Sequence, residues 1–184
     1  MVFEENKKLA PLTTMRVGGP ARFFSIASRN DEIIEALSFA EEKGVPYFVL
    51  GEGSNIIVAD KGFPGLVLSL GANTLFFEDS FDSPGYALLV ADGGAHWDTL
   101  PKEAAAKNLY GIENLSLIPG TAGAAPVQNI GAYGAELRDT LLWVEALDAR
   151  TKKIVRLGKN ECGFGYRDSI FKQREGAALV IIRI

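Results

Sequence analysis

A glycine-flanked turn follows a predicted strand early in the chain. Residues Gly51–Asn55 come directly after Pro46–Leu50, a short apolar run that predicts a strand. Backbone N–H groups in such a turn can converge on an anion, and Ser54 and Asn55 add side-chain donors. Neither a Gly-Lys-Ser/Thr sequence nor a third glycine follows at the spacing of a Walker loop or a dinucleotide fingerprint. The pattern fits a phosphate-binding nest, with a plain strand-to-strand turn as the alternative.

A second and longer segment, Ile118–Gly134, consists mainly of small residues and carries no charged side chain. Apart from Thr121 and Tyr133, its only strong hydrogen-bonding side chains are those of Gln128 and Asn129. Because long loops of this kind seldom serve as simple connectors, we expect a flat, extended ligand against the backbone of this segment. A buried helix–turn–helix packing element is the alternative.

A third candidate is Phe164–Ser169, in which Arg167 stands among aromatic residues and glycine. A guanidinium can bind a carboxylate through two hydrogen bonds, or stabilise an enolate oxygen as charge develops on it. A structural ion pair with Asp168 or another acidic residue is an equally open alternative. The single histidine, His96, is interpreted as a surface or cap residue, and the single cysteine, Cys162, as a small buried residue.

The elements that position these residues begin with a β–α–β unit. Ala21–Ala27 and Pro46–Leu50 are predicted strands, joined by a helix that starts near Ser28 and ends near Gly44. A crossover of this length predicts that the two strands run parallel.

The rest of the chain is predicted to be mostly strands. A second helix is predicted from Trp97 to Lys107, and residues 108–139 are rich in loops. Further strands are predicted at Ile56–Val58, Leu66–Leu70, Thr74–Phe77, Tyr86–Ala91, Leu141–Leu147, Ile154–Leu157 and Leu179–Ile184. The predicted fold class is α+β, with an irregular N-terminal arm at 1–20, a first subdomain at 21–70 and a second at 71–184.

Composition excludes several classes of protein. The chain has 184 residues, 47% of them hydrophobic and 23% charged, which is a globular balance. Its 19 basic and 23 acidic residues lack the basic excess of a nucleic-acid binder. One cysteine excludes an intrachain disulfide and a cysteine-rich zinc or iron–sulfur site, and one histidine excludes a multi-histidine metal site. The sequence shows no leader and no membrane-spanning run, so we expect a cytoplasmic monomer with no metal, membrane or nucleic-acid partner.

Four motifs occur in one order: Thr13–Gly19, Gly51–Asn55, Ile118–Gly134 and Phe164–Ser169. Together they resemble the UDP-N-acetylenolpyruvoylglucosamine reductase (MurB) family over about Leu9–Ile184. The resemblance implies a two-subdomain FAD-binding module of the vanillyl-alcohol-oxidase (PCMH) type, with FAD bound non-covalently. It further implies that NADPH reduces FAD, which then reduces the enolpyruvyl group of a UDP-sugar substrate to give UDP-N-acetylmuramate. That reaction belongs to peptidoglycan synthesis, and so to cell-wall biogenesis, cell shape and cell division.

The resemblance also implies roles for particular residues. Arg167 would be catalytic and, with its neighbour Tyr166, would contact the substrate. The two glycine-rich segments would cradle the FAD pyrophosphate and flank the flavin. The implied cofactor-binding residues are Gly51, Glu52, Gly53, Ser54, Asn55, Pro119, Gly120, Thr121, Gly123, Ala124, Gln128, Asn129, Gly131, Ala132, Tyr133 and Gly134. Neither segment contains Lys or Arg, so we expect backbone amides to hold the pyrophosphate, and valine at Gly53 or Gly123 to abolish FAD binding while leaving the fold intact.

The sequence departs from the family in one respect. The family's chains continue into a substrate-binding domain with a proton-donating serine in a GSFFKNP-like motif and a late glutamate. Neither motif occurs here. We therefore expect the FAD-binding portion without the C-terminal substrate domain, and no complete substrate reduction by this chain alone. The alternatives are a stand-alone flavin-binding module without the family's reaction, and a structural fragment that binds nothing.

Overall fold

A computed structural model of the chain describes residues 1–79 and 85–184. The chain forms two compact units, Met1–Ala72 (unit 1) and Asn73–Ile184 (unit 2). Unit 1 contains β1 (Glu4–Lys8), β2 (Pro20–Ala27), α1 (Asn30–Glu42), β3 (Tyr47–Leu50) and β4 (Phe63–Leu70). Unit 2 contains β5 (Leu75–Asp79), β6 (Ala87–Ala91), α2 (Thr99–Ala106), β7 (Gly131–Ala132), β8 (Ala135–Glu136), β9 (Trp143–Asp148), β10 (Lys153–Gly158) and β11 (Leu179–Arg183). Both helices and strands are present in each unit, so the α+β prediction is confirmed.

Unit 1 is built on a four-stranded sheet of order β1-β2-β4-β3. Strands β2 and β3 both run parallel to β4, which confirms the parallel strands of the predicted β–α–β unit. Strand β4 lies between them, so α1 connects strands that are not neighbours. The helix buries Ile33, Ala36, Leu37 and Ala40 along one face, as the spacing of apolar residues predicts.

Helix α1 begins two residues after its predicted start near Ser28. The Glu32 carboxylate accepts hydrogen bonds from the backbone N–H groups of Ser28 and Arg29, at 2.7 and 3.2 Å. Arg29 is the N-cap, and the helix begins at Asn30. The helix ends at Glu42, close to the predicted stop at Gly44, whose positive φ of 62° is a left-handed conformation.

Two predictions for unit 1 are wrong. Residues 1–20 are not an irregular arm throughout, because β1 pairs antiparallel with β2 from Glu4↔Phe24 to Lys8↔Pro20. This edge strand is polar and exposed, so it has no hydrophobic alternation to reveal it. The strand predicted at Ile56–Val58 is irregular backbone. Ile56 and Val58 instead pack on the core formed around Leu9, Phe24 and Val67, and so anchor a loop.

Unit 2 combines a three-stranded antiparallel sheet, β10-β9-β11, with the hairpins β5-β6 and β7-β8. Backbone hydrogen bonds from Ala91 and Gly93 to Ile184 and Ile182 connect the end of β6 to β11. The Arg183 guanidinium donates to Asp92 at 2.8 Å beside this connection. The core of unit 2 holds the buried Trp97 together with other large apolar side chains, among them Leu115, Leu137, Val144 and Ile181.

Candidate functional site

The Gly51–Asn55 turn follows β3 in unit 1 and packs on the Thr13–Gly19 motif. The Gly53 carbonyl accepts a hydrogen bond from the Thr14 N–H at 3.1 Å. Gly53 has a φ of +65°, and a Cβ built on it would lie 2.3 Å from the Leu12 carbonyl oxygen. The structure therefore brings the first two motifs together. It also contradicts the expectation that valine at Gly53 leaves the fold intact, since the added side chain would collide with backbone.

The Ile118–Gly134 segment lies in unit 2, and its first part is paired backbone rather than open loop. The Trp97 N–H donates to the Gly120 carbonyl at 2.9 Å, and the Ala122 N–H donates to the Ala95 carbonyl at 2.8 Å. These bonds align His96 with Thr121 as an antiparallel bridge. A Cβ on Gly123 would lie 2.9 Å from the carbonyl oxygens of both Gly93 and Ile181. Valine at Gly123 would therefore disturb the fold as well, against expectation.

Most backbone amides in the middle of this segment are used by the fold itself. The N–H groups that donate to carbonyls of the chain are those of Ala122, Gly123, Ala124, Ala125, Val127, Asn129 and Ile130. The expectation of an amide cradle for the pyrophosphate is therefore wrong for these residues. Whether Gly123, Ala124 or Asn129 contacts FAD through other atoms stays a prediction.

Asn129 has a fully buried side chain that joins three stretches of unit 2. Its Nδ2 donates to the Glu136 carboxylate and to the Gly165 carbonyl, both at 3.0 Å, and its Oδ1 accepts from the Arg138 N–H at 3.1 Å. Its φ of +43° is a left-handed conformation that asparagine tolerates better than most residues. The amide of Asn129 thus holds the segment in place.

The Phe164–Ser169 motif packs on the Ile118–Gly134 segment. The Ser169 hydroxyl, which is buried, donates to the Val127 carbonyl at 2.7 Å. The Arg167 guanidinium donates through Nη2 to the Gly131 carbonyl at 2.6 Å. The Asp168 carboxylate accepts a hydrogen bond from the Gln173 amide at 3.1 Å and lies 3.9 Å from the Lys172 ammonium. These described contacts do not support the structural ion pair between Arg167 and Asp168 considered above. The structure therefore joins the last two motifs as well.

Exposed aromatic rings surround this junction. Tyr133 and Gly134 form the tip of the β7–β8 hairpin, both with positive φ, and the Tyr133 side chain is 90% exposed. Tyr166 is also exposed, next to Arg167. The exposed Arg167 guanidinium carries five N–H donors. One of its nitrogens, Nη2, donates to the Gly131 carbonyl, which fixes the position of the group. The junction thus presents a fixed cation with aromatic rings to solvent.

Sequence reasoning missed Asp98, which holds the entry to the Ile118–Gly134 segment. Its Oδ1 accepts from the Leu117 N–H at 2.6 Å, and its Oδ2 pairs with the Lys102 ammonium at 2.6 Å. Leu117 has a φ of +61° there, although its side chain is exposed. The hydrogen bond from Lys102 and then that from Leu117 lower the pKa of the Asp98 carboxyl. The i, i+4 spacing of Asp98 and Lys102 is a signal for their ion pair, but the Leu117 contact is not local in sequence.

Replacing Asp98 with asparagine is expected to destabilise the chain in a pH-dependent way. Because the folded-state pKa lies below 3.8, the carboxylate stabilises the fold fully above that pH and stops doing so as the pH falls through its lowered pKa. The difference in unfolding free energy between wild type and D98N should stay constant from neutral pH to about pH 5 and shrink in stronger acid. Urea unfolding across this pH range, followed by circular dichroism, measures the difference. A difference that grows in acid would contradict the role given to Asp98.

The single cysteine has no feature of a reactive site. Cys162 is buried, and this burial, with Glu161 as a smaller cause, raises the pKa of its thiol to about 11. Among residues 1–79 and 85–184, no cluster of three or more His, Cys, Asp or Glu side chains is arranged to hold a metal ion. Nor does that part of the chain contain a helix with the length and apolar character needed to cross a membrane.

A mainly apolar cavity of about 480 Å³ in unit 2, lined by Tyr110 and Trp143 among others, includes none of the predicted site residues.

The chain is similar in sequence and in structure to known FAD-binding proteins. A family model of the FAD binding domain matches residues 21–158. The UDP-N-acetylenolpyruvoylglucosamine reductase of Pseudomonas syringae pv. tomato is 39% identical over 174 residues, which are 94% of this chain and 50% of that protein. The crystal structure of the Thermus caldophilus reductase (MurB) is similar with a TM-score of 0.77 and 30% identity, over 99% of this chain and 61% of that one.

The fold is shared more widely than the sequence. A VAO-type flavoprotein of Myceliophthora thermophila is similar with a TM-score of 0.63 at 20% identity, over 91% of this chain and 32% of that one. The resemblance to the reductase family and the fold class, an FAD-binding module of the vanillyl-alcohol-oxidase type, are confirmed. The chain spans about half the length of the curated relatives it matches.

Proposed function

We propose, since the chain belongs to the family of FAD binding domains, that it holds FAD non-covalently as the FAD-binding part of a UDP-N-acetylenolpyruvoylglucosamine reductase. The observation that carries the proposal is the pairing of its four motifs. Thr13–Gly19 packs with Gly51–Asn55 in unit 1, and Ile118–Gly134 packs with Phe164–Ser169 in unit 2. Residues far apart in sequence are thus in contact within each unit, which supports the proposal.

The donor set fits FAD, which is an anion with many hydroxyl groups. Partly exposed neutral side chains that carry donor groups lie on both glycine-rich segments, at Ser54, Thr121 and Gln128. The exposed Glu52 carboxylate is an acceptor, which suits sugar or ribityl hydroxyls. With the central amides of Ile118–Gly134 used by the fold, we assign the pyrophosphate mainly to the Gly51–Asn55 turn and to side-chain donors. The remaining residues named above as cofactor contacts are proposed to line the flavin and the adenosine.

Arg167 is proposed as the catalytic residue. When bound, FAD supplies the means to accept a hydride from NADPH and to deliver one to the enolpyruvyl double bond of the UDP-sugar. The Arg167 guanidinium, held at one nitrogen by Gly131, would bind the substrate carboxylate with its other N–H groups. Its charge stabilises the negative charge that develops on that carboxylate during reduction. Tyr166 would flank the substrate, and the product would enter peptidoglycan synthesis in the cytoplasm.

Turnover separates the reductase from a stand-alone flavin module. The chain, loaded with FAD, is assayed for formation of UDP-N-acetylmuramate with NADPH, alone and with the remaining half of a relative supplied in trans. Product formation that Arg167→Lys strongly reduces supports the reductase, because lysine keeps the charge and loses the two-point contact. Bound FAD without product under either condition would favour the flavin module instead.

Acid precipitation of the purified yellow chain is expected to release all of its flavin into the supernatant. A covalent flavin tether in this fold class typically uses a histidine or cysteine, and the chain has one of each. Cys162 is buried with its thiol pKa raised to about 11, so it has very little of the nucleophilic thiolate. His96 is therefore the remaining candidate, and flavin retained in the pellet of wild type but not of His96→Gln would contradict the prediction.

A further inference from the structure

Two buried carboxylates lie at the ends of a short stretch, Gly93–Trp97, on which the Ile118–Gly134 segment is docked. In the described part of the chain, the buried acidic residues are Asp92 and Asp98. Backbone hydrogen bonds of 2.8 to 2.9 Å join the stretch between them to the segment. Acidic residues are rarely buried unless they are paired, so both positions call for a structural or functional reason. Asp98 holds one end of the stretch through its contact with Leu117, and Asp92 lies at the other end.

The Asp92 carboxylate is held from two sides. Its Oδ1 accepts hydrogen bonds from Nε and Nη2 of Arg183, at 3.0 and 2.8 Å, and its Oδ2 accepts one from the Thr74 N–H at 3.2 Å. Backbone bonding continues β6 beyond Ala91 alongside β11, so Asp92 and Arg183 stand opposite each other as a cross-strand pair. Two donors from one planar guanidinium fix the direction as well as the distance of the contact.

The backbone beside Asp92 connects this ion pair to the docked segment. The Asp92 carbonyl accepts from the Ala95 N–H at 2.9 Å, and the Gly93 N–H donates to the Ile182 carbonyl at 2.7 Å. The Gly93 carbonyl in turn accepts from the Gly123 N–H at 2.9 Å. Gly123 is closely packed there, since a Cβ on it would lie 2.9 Å from the Gly93 carbonyl oxygen. A displacement of Asp92 would therefore move the surface on which Gly123 packs.

From these contacts we infer that Asp92, held by Arg183, is a positioning residue for the segment assigned to FAD, an inference that rests on the proposed function. The ion pair fixes the start of Gly93–Trp97, as Asp98 fixes its end, so the Ile118–Gly134 segment is ordered before FAD binds. Such preorganisation raises affinity, because the ligand does not have to order the segment. Asp92 acts through the backbone and is assigned no contact with FAD.

Hydrogen-exchange NMR of the flavin-free chain tests the positioning directly. Asp92→Asn leaves one acceptor oxygen where the carboxylate has two, so either the Thr74 N–H or the Arg183 guanidinium would face an NH₂ group. We expect the Gly123 amide to exchange about tenfold faster or more, since a hydrogen bond to a charged group is lost beside it. Exchange of the Ile130 amide, which bonds within its own segment, should change much less.

Titration of FAD, followed by quenching of flavin fluorescence, gives a second readout. Binding should be about tenfold weaker in both Asp92→Asn and Arg183→Met. Arg183→Lys keeps the cation and loses one donor, so its affinity should lie between that of Arg183→Met and wild type. The double variant D92N/R183M should bind no more weakly than either single one, because the two residues act through one contact. Arg156→Met is the matched control, since Arg156 pairs with Glu145 at 2.5 Å on the same sheet as Arg183, and it should bind FAD like wild type.

The possible outcomes separate this inference from the proposed function. Faster exchange at Gly123 with weaker FAD binding, neither of them seen in Arg156→Met, supports the positioning role. Equal acceleration of exchange at Gly123 and Ile130 would show that Asp92 contributes only general stability, and would overturn the inference. Wild-type FAD affinity in folded Asp92→Asn and Arg183→Met would also overturn it. A folded wild type that does not bind FAD would overturn the proposed function itself, and this inference with it.

Discussion

Alanine at Gly53 is expected to destabilise the chain by about 4 kcal/mol or more, a loss found only for severe structural conflicts. Two effects add at this position. The φ of +65° is strained for any residue with a Cβ, and the new Cβ would lie 2.3 Å from the Leu12 carbonyl oxygen and 2.9 Å from the Thr13 Cα. Both neighbours are backbone atoms, so no side chain can rotate away. Urea unfolding followed by circular dichroism measures the loss.

Gly134 offers a matched control in the same chain. It also has a positive φ, +81°, but a Cβ there would meet no heavy atom within 4 Å. Gly134→Ala should therefore cost only the conformational strain, about 1 to 2 kcal/mol. If G53A and G134A destabilised the chain equally, the close packing of the Gly51–Asn55 turn on the first motif would be refuted.

Alanine at Asn129 is expected to destabilise unit 2 by about 3 kcal/mol, because the hydrogen bonds of a buried side-chain amide are lost. The Gly165 carbonyl and the Arg138 N–H would each be left without the contact that the side-chain amide now makes. The same change should loosen the attachment of the Phe164–Ser169 motif. FAD affinity should fall with it if Asn129 acts by holding these segments in place.

Asn129→Gly separates the lost hydrogen bonds from backbone strain. Glycine adopts the φ of +43° without cost, so N129G should be about 1 kcal/mol less destabilised than N129A, apart from its greater chain entropy when unfolded. Both unfolding free energies come from the same denaturant titrations. Wild-type stability in N129A would show that the buried amide contacts do not hold the segment.

Sequence patterns predicted the parts of the fold that local rules specify. The apolar spacing of Ile33, Leu37 and Ala40 predicted α1, and the apolar runs around it predicted the parallel strands of unit 1. The four motifs predicted the family because their residue types and order are specific. By contrast, β1 is a polar strand held by its backbone ladder with β2, and no side-chain pattern reveals such an edge strand.

The candidate site was predicted by residue type, but its internal contacts were not. That the Ile118–Gly134 segment is rich in small residues is visible in sequence. The later amides of the segment bond to carbonyls within it, but those of Ala122 and Gly123 bond to Ala95 and Gly93, which precede the segment by more than twenty residues. The pairing of His96 with Thr121 and the contact of Asp98 with Leu117 are set by the same tertiary approach. Local propensity carries no information about any of these partners.

Titration of FAD into the purified, flavin-free chain is the most direct test of whether the folded chain is an FAD-binding module. Flavin fluorescence and visible absorbance report binding, and circular dichroism reports that the chain is folded throughout. We predict saturation at one FAD per chain, and binding that G53A abolishes. A chain that is folded by circular dichroism yet leaves the fluorescence and spectrum of FAD unchanged would contradict the account.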